Sequence, residues 1–138
     1  MEPGQRGGLL SIPGRIMAFP GLIHPGEFAM GAAVEALAPA FARSLTETAR
    51  GWLGRVECDQ AQLWHLGDLW AITCVHDTTP KVLQIVAMSG EYTRELMDSI
   101  EAWGRSIGCA HVFFEGRPGW QRRLLDYRVT NITMQKEL

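Results

Sequence analysis

A chain of 138 residues is sized for one domain with a proper hydrophobic core. Its apolar fraction of 46%, charged fraction of 20% and formal net charge of −2 are those of an ordinary globular chain and supply no global field for a nucleic-acid backbone or an anionic membrane surface. No apolar run approaches the roughly 18 residues that a spanning helix needs, and the N-terminus lacks the basic-then-apolar layout of a cleaved secretion signal.

Residues 1–26 differ from the rest. Six glycines (Gly4, Gly7, Gly8, Gly14, Gly21, Gly26) and four prolines (Pro3, Pro13, Pro20, Pro25) break any helix and interrupt any central strand. The segment is not polar, because Leu9, Leu10, Ile12, Ile16, Met17, Phe19, Leu22 and Ile23 sit between the breakers. A solvated linker does not carry that much apolar surface. Two roles fit: an edge strand for the body, or an extended arm that docks on a partner. The expectation taken here is an arm over 1–26 and a domain over 27–138, with Leu9, Leu10, Ile12, Ile16, Phe19 and Leu22 as the partner-binding side chains.

Residues 27–57 read as helical. Phe28, Val34, Leu37, Phe41 and Leu45 form an amphipathic stripe interrupted at Pro39. Ser44 followed by Glu47 has the form of a capping box for a second helix, with Trp52 and Leu53 facing inward. Three strand-like runs follow. Gln62–Leu66 meets Leu69–His76 across the Gly67-Asp68 turn, and Lys81–Met88 comes after a short loop, which together predict an antiparallel meander. Tyr92, Leu96, Ile100, Trp103 and Ile107 recur at helical spacing and predict a long helix over 91–107, ended by Gly108. Ala110–Glu115 reads as a strand, Trp120–Tyr127 as a short helix opened by Pro118, and Arg128–Lys136 as a final strand. Cys58, Cys74 and Cys109 are odd in number and widely spaced, so neither a disulfide framework nor a zinc site is predicted and all three read as buried thiols. His65 and His111 lie in strand-like runs and read as structural. No metal site is expected.

The order helix, helix, three antiparallel strands, long helix, strand, short helix, strand is that of the GNAT N-acetyltransferases. The run AQLWHLGDLWAITCV resembles their second and third strands. The segment Trp103, Gly104, Arg105, Gly108, Cys109, then Gly116, Arg117, Pro118, Gly119 and Trp120 resembles GNAT-like proteins encoded in the head and tail gene clusters of tailed bacteriophages. The likeness covers about residues 30–138. It implies an α/β (α+β) fold with a mixed, mostly antiparallel sheet flanked by helices.

In that family a glycine-rich loop opening the long helix holds the pyrophosphate of acetyl-CoA on backbone amides, as a helix N-terminus with close backbone approach allows. The matching stretch here runs from Met88 to Arg94, has one glycine, and puts Glu91 where a carboxylate repels a phosphate. The cofactor-binding positions implied are Ser89, Gly90 and Tyr92. An amine acetylation also needs a base and an acid. The resemblance offers Glu115 and Tyr127 for these roles, although Asp126-Tyr127-Arg128 lacks the glycine common before the family's acid. Residues 105–138 carry a net charge of +3 without interleaved aromatics on an evident surface, so nucleic acid is not an expected partner.

The resulting expectation is a phage virion-associated structural or morphogenesis protein, in the head–tail connector or internal ejection apparatus. It binds no cofactor and meets other phage structural proteins, or a second copy of itself as a homo-oligomer, through its arm. It is located in the virion or the host cytoplasm and does not enter a membrane. The alternative is an active acetyl-CoA-dependent N-acetyltransferase acting on a host or phage amine. A third, weaker alternative is a small module that inhibits a host protein.

Overall fold

The computed structural model describes residues 11–12, 15–16, 19–114, 120, 123–124 and 127. In chain order they form β1 (Ser11–Ile12), β2 (Arg15–Ile16), β3 (Leu22–Ile23), α1 (Met30–Phe41), α2 (Ala49–Glu57), β4 (Gln62–Leu66), β5 (Leu69–His76), β6 (Val82–Ser89), α3 (Arg94–Ser106) and β7 (His111–Phe114). β1 and β2 make a small antiparallel hairpin of their own. The other strands form one sheet in the order β3-β4-β5-β6-β7, antiparallel except for the parallel β6–β7 pair. A parallel pair needs a long crossover, and α3 supplies it. The fold is therefore α+β, with a mostly antiparallel sheet flanked by helices.

Alternation along the strands divides the core in two. Trp64, Leu69, Ala71, Leu83 and Ile85 face α3 and pack against Leu96, Met97, Ile100 and Trp103. Leu63 and Ile72 face the other way and pack against Ala33 and Leu37 of α1 and Leu53 and Val56 of α2. Burying one such large side chain is worth about 1.5–3 kcal/mol. On the α3 side the buried indole donor of Trp64 is matched. Trp64 Nε1 donates to Thr73 Oγ1 at 2.9 Å, and Thr73 Oγ1 donates to Gln62 Oε1 at 2.9 Å, as buried polar atoms require.

Several expectations are corrected. Phe19, Leu22 and Ile23 join the body ahead of the expected boundary at residue 27. Phe19 is 8% exposed in the α3-side core, and β3 pairs Leu22 with Trp64 and Ile23 with Leu63. Phe19 and Leu22 thus belong to the sheet and its core and are withdrawn as arm residues. Ser44 caps no helix: its hydroxyl accepts from the amide of Glu47 at 2.9 Å within a turn. The N-cap of α2 is Thr48, whose Oγ1 accepts from the amide of Gly51 at 3.0 Å. Glu47 accepts from the Trp52 indole at 2.6 Å instead of closing a capping box. Pro39 sits in the last turn of α1 and the helix ends at Phe41. α3 starts at Arg94 and not at Glu91. Cys58 is exposed, Cys109 half-buried and Cys74 buried; His111 is exposed. The expected final strand over 128–136, and most of the short helix before it, lie outside the described residues.

Candidate functional site

Among the described residues, β6 is paired on both sides only over its first half. Val82–Ile85 lies against His111–Phe114 of β7 and against β5, where Thr73 faces Ile85 and Ile72 faces Ala87. Val86 is therefore an extra residue, a β-bulge that bends the strand and increases its local twist. Beyond it, Met88 and Ser89 form part of a cleft of about 320 Å³. Among the described residues its lining also includes Pro39 and Ala40 at the end of α1, Gly90, Glu91 and Tyr92, and Trp120 and Arg123.

The turn out of β6 is set by Gly90. Its φ is +109°, and a Cβ there would overlap the Asp68 carbonyl group and come within 3.4 Å of Leu69 Cα. Only glycine fits a left-handed position pressed on another backbone. Tyr92, half-buried, lies against Trp120 with ring centroids 6.5 Å apart, and Trp120 meets Phe114 edge-on at 6.2 Å. Thr93, the N-cap of α3, is extended and makes no side-chain cap hydrogen bond. No backbone carbonyl among the described residues accepts from the amides of Glu91 and Tyr92. Ser89, Gly90 and Tyr92 thus come together at the cleft.

Of the suggested acid and base, only Tyr127 is among the described residues, and it does not line the cleft. Its hydroxyl donates to Glu101 Oε2 on α3 at 2.8 Å. Glu115 lies outside the described residues, as do Leu9 and Leu10. Ile12 and Ile16 sit in the β1–β2 hairpin. The sequence reading missed Pro39 and Ala40, which nothing but spatial convergence assigns to the cleft. It noted Glu91 and Trp120 without placing them together, and Arg123 entered only through the net charge of residues 105–138.

Elsewhere, burial pushes the Cys74 thiol up from its usual value, partly offset by the Arg55 charge. A buried neutral thiol is not a nucleophile. His76 Nε2 lies 2.7 Å from Gln84 Oε1, and His65 stacks on Trp70 at 3.9 Å. Among the described residues no group of three or more His, Cys, Asp or Glu is placed to hold a metal ion, and no helix is long and apolar enough to cross a membrane.

No protein-family model matches this chain, and no curated protein matches it. Solved structures do. The BH1408 protein of Bacillus halodurans, in a point-mutant form, is 14% identical over 80% of this chain and 96% of that one, with a TM-score of 0.58. Wild-type TTHA1254 of Thermus thermophilus is 11% identical over 80% of this chain and 93% of that one, with a TM-score of 0.51. At these identities the likeness is one of fold alone.

Proposed function

We propose that this chain is a GNAT-like domain that has kept the acyltransferase scaffold without its chemistry, and that it acts by binding other proteins as a virion-associated structural or morphogenesis component of a tailed bacteriophage. The observation that carries the non-catalytic reading is Tyr127. The hydroxyl that would protonate a departing thiolate is hydrogen-bonded to Glu101 on α3, away from the cleft. Gly90 points the same way. Its contact with the Asp68 backbone accounts for the glycine with no phosphate beside it. The phage assignment rests on the resemblance of Trp103–Trp120, and fold alone does not supply a role. Leu9, Leu10, Ile12 and Ile16 remain the arm residues for a partner, either another phage structural protein or a second copy.

The test is a phage encoding a chain that lacks residues 1–18, with virions and unassembled fractions analysed by mass spectrometry. The full chain is expected in purified virions and the truncated chain only in the unassembled fraction. A full chain missing from virions overturns the reading.

One observation favours the acetyltransferase alternative. The cleft lies at the start of α3, where the amides of Glu91 and Tyr92 have no described acceptor, as an anion site requires. Ligand at 100 times its dissociation constant stabilises a protein by about 2.7 kcal/mol. A saturable rise in Tm with acetyl-CoA, lost in Arg123→Glu, would favour that alternative. Replacement of Gly90 is no control, since any side chain there strikes Asp68.

A further inference from the structure

Three metal-ligating atoms meet on the sheet face that carries α1 and α2. Cys74 and His76 lie two residues apart on β5 and so project to one side. Gln84 of β6 is the partner of Cys74 across the ladder, and Phe113 of β7 is the partner of Gln84. Phe113 stacks on the His76 ring with centroids 5.9 Å apart, which orients the imidazole. Gln84 Oε1 lies 2.7 Å from His76 Nε2 and 3.6 Å from Cys74 Sγ, and the sulfur and nitrogen are 3.8 Å apart. A point equidistant from these three atoms is about 2.0 Å from each, against zinc bond lengths of about 2.0–2.2 Å to nitrogen and oxygen and about 2.3 Å to sulfur.

The geometry points to a binding site for one thiophilic metal ion of the zinc class, held by Cys74 Sγ, His76 Nε2 and Gln84 Oε1 with a solvent molecule as fourth ligand. A thiolate beside an imidazole selects such an ion over magnesium or calcium, which take oxygen ligands. As the sulfur–metal bond forms, the Cys74 thiol releases its proton to solvent. The imidazole carries its own proton on Nδ1, which leaves the Nε2 lone pair for the ion. Burial favours the neutral thiol, while the Arg55 charge favours the thiolate that the ion requires. The nitrogen–oxygen separation must widen to about 3.4 Å for a tetrahedral angle. His76 is exposed and Gln84 half-buried, so neither side chain is locked by close packing, and solvent reaches the imidazole side of the site. None of the three residues lines the cleft beside Gly90, and the site does not depend on the non-catalytic reading.

The experiment titrates the reduced full chain, stripped with a chelator that is then dialysed away, with cobalt(II) as a spectroscopic probe and zinc(II) as competitor. The expected outcome is a thiolate-to-cobalt charge-transfer band, with the visible bands of four-coordinate cobalt, saturating at a single equivalent and bleached by zinc. Cys74→Ala removes the charge-transfer band, His76→Phe weakens cobalt binding at least about tenfold, and Cys58→Ser/Cys109→Ser leaves both signals intact. Circular dichroism checks that each variant is folded. Because His76 is exposed, its replacement tests the site even if loss of the buried thiol disturbs the core. No saturable band by about 1 mM cobalt, a band that survives Cys74→Ala or is lost in Cys58→Ser/Cys109→Ser, or an affinity unchanged by His76→Phe would overturn the site.

Discussion

Along β6, Val82–Ile85 lies between β5 and β7, whereas Met88 and Ser89 pair with β5 alone among the described strands. Leu83 and Ile85 in the first half are fully buried and tie the sheet to α3. The second half, past the extra residue Val86, leads into the cleft and the Gly90 turn. One eight-residue strand thus contributes to the core on both sides of the bulge, with Ala87 and Met88 also buried, and lines the cleft at its far end. The apolar run was legible from its composition, while the bulge at Val86 and the cleft beyond it show only in three dimensions.

The comparison can be broken from either end. Leu83→Ala, in the paired half, is expected to cost about 2–5 kcal/mol, read from the denaturant midpoint. A loss below that range would show that the first half is not the anchor. Gly90→Ala, at the cleft end, combines a left-handed backbone with a strike on Asp68 and should cost about 3 kcal/mol. Gly67→Ala is its control: φ there is +60° with nothing within 4 Å of the added Cβ, so strain alone of about 1 kcal/mol is expected. Equal losses for the two glycines would sink the packing account of Gly90. Tyr127→Phe removes one hydrogen bond to Glu101 and should cost about 1 kcal/mol. A neutral result would mean that the hydroxyl is not held there.

The smallest effect belongs to Cys74, which sits opposite Gln84 in the paired half. Burial raises its thiol above the usual 9.0. As pH rises past that value the unfolded thiol ionises first, so the unfolded state binds fewer protons and stability falls. The decline should begin near the unfolded value and flatten in Cys74→Ala, measured by denaturant unfolding between neutral and alkaline pH. An unchanged slope in the variant would remove Cys74 as its source.

Much of the sheet and of α3 was legible. The β4, β5 and β6 runs fall within a residue of their predicted bounds because β-branched and aromatic clusters bounded by Gly67-Asp68 and the Asp77–Pro80 loop leave few alternatives. The errors have local causes. Glu91–Thr93 reads as a first helical turn, but the geometry imposed at Gly90 keeps Thr93 extended and delays α3 to Arg94. Ser44 and Thr48 are both plausible caps, and the choice depended on Glu47 reaching Trp52. The β3 strand was obscured because Leu22 and Ile23 sit between prolines and pair with residues about forty positions on. In the candidate site, Ser89, Gly90 and Tyr92 were legible by position. Its α1 lining and the placement of Arg123 were not, since they meet only in three dimensions.

The pair Trp64 and Trp103 has a consequence for observing this molecule. Their rings meet edge-on with centroids 5.9 Å apart, one from β4 and one from α3, both in the interior. Fixed aromatic packing is what near-ultraviolet circular dichroism records, while helix content appears in the far ultraviolet. The chain therefore carries an internal spectroscopic reporter for the docking of α3 on the sheet. If the part of the near-ultraviolet signal that Trp103→Phe removes is lost before the helical signal during denaturation, undocking of α3 is the first step.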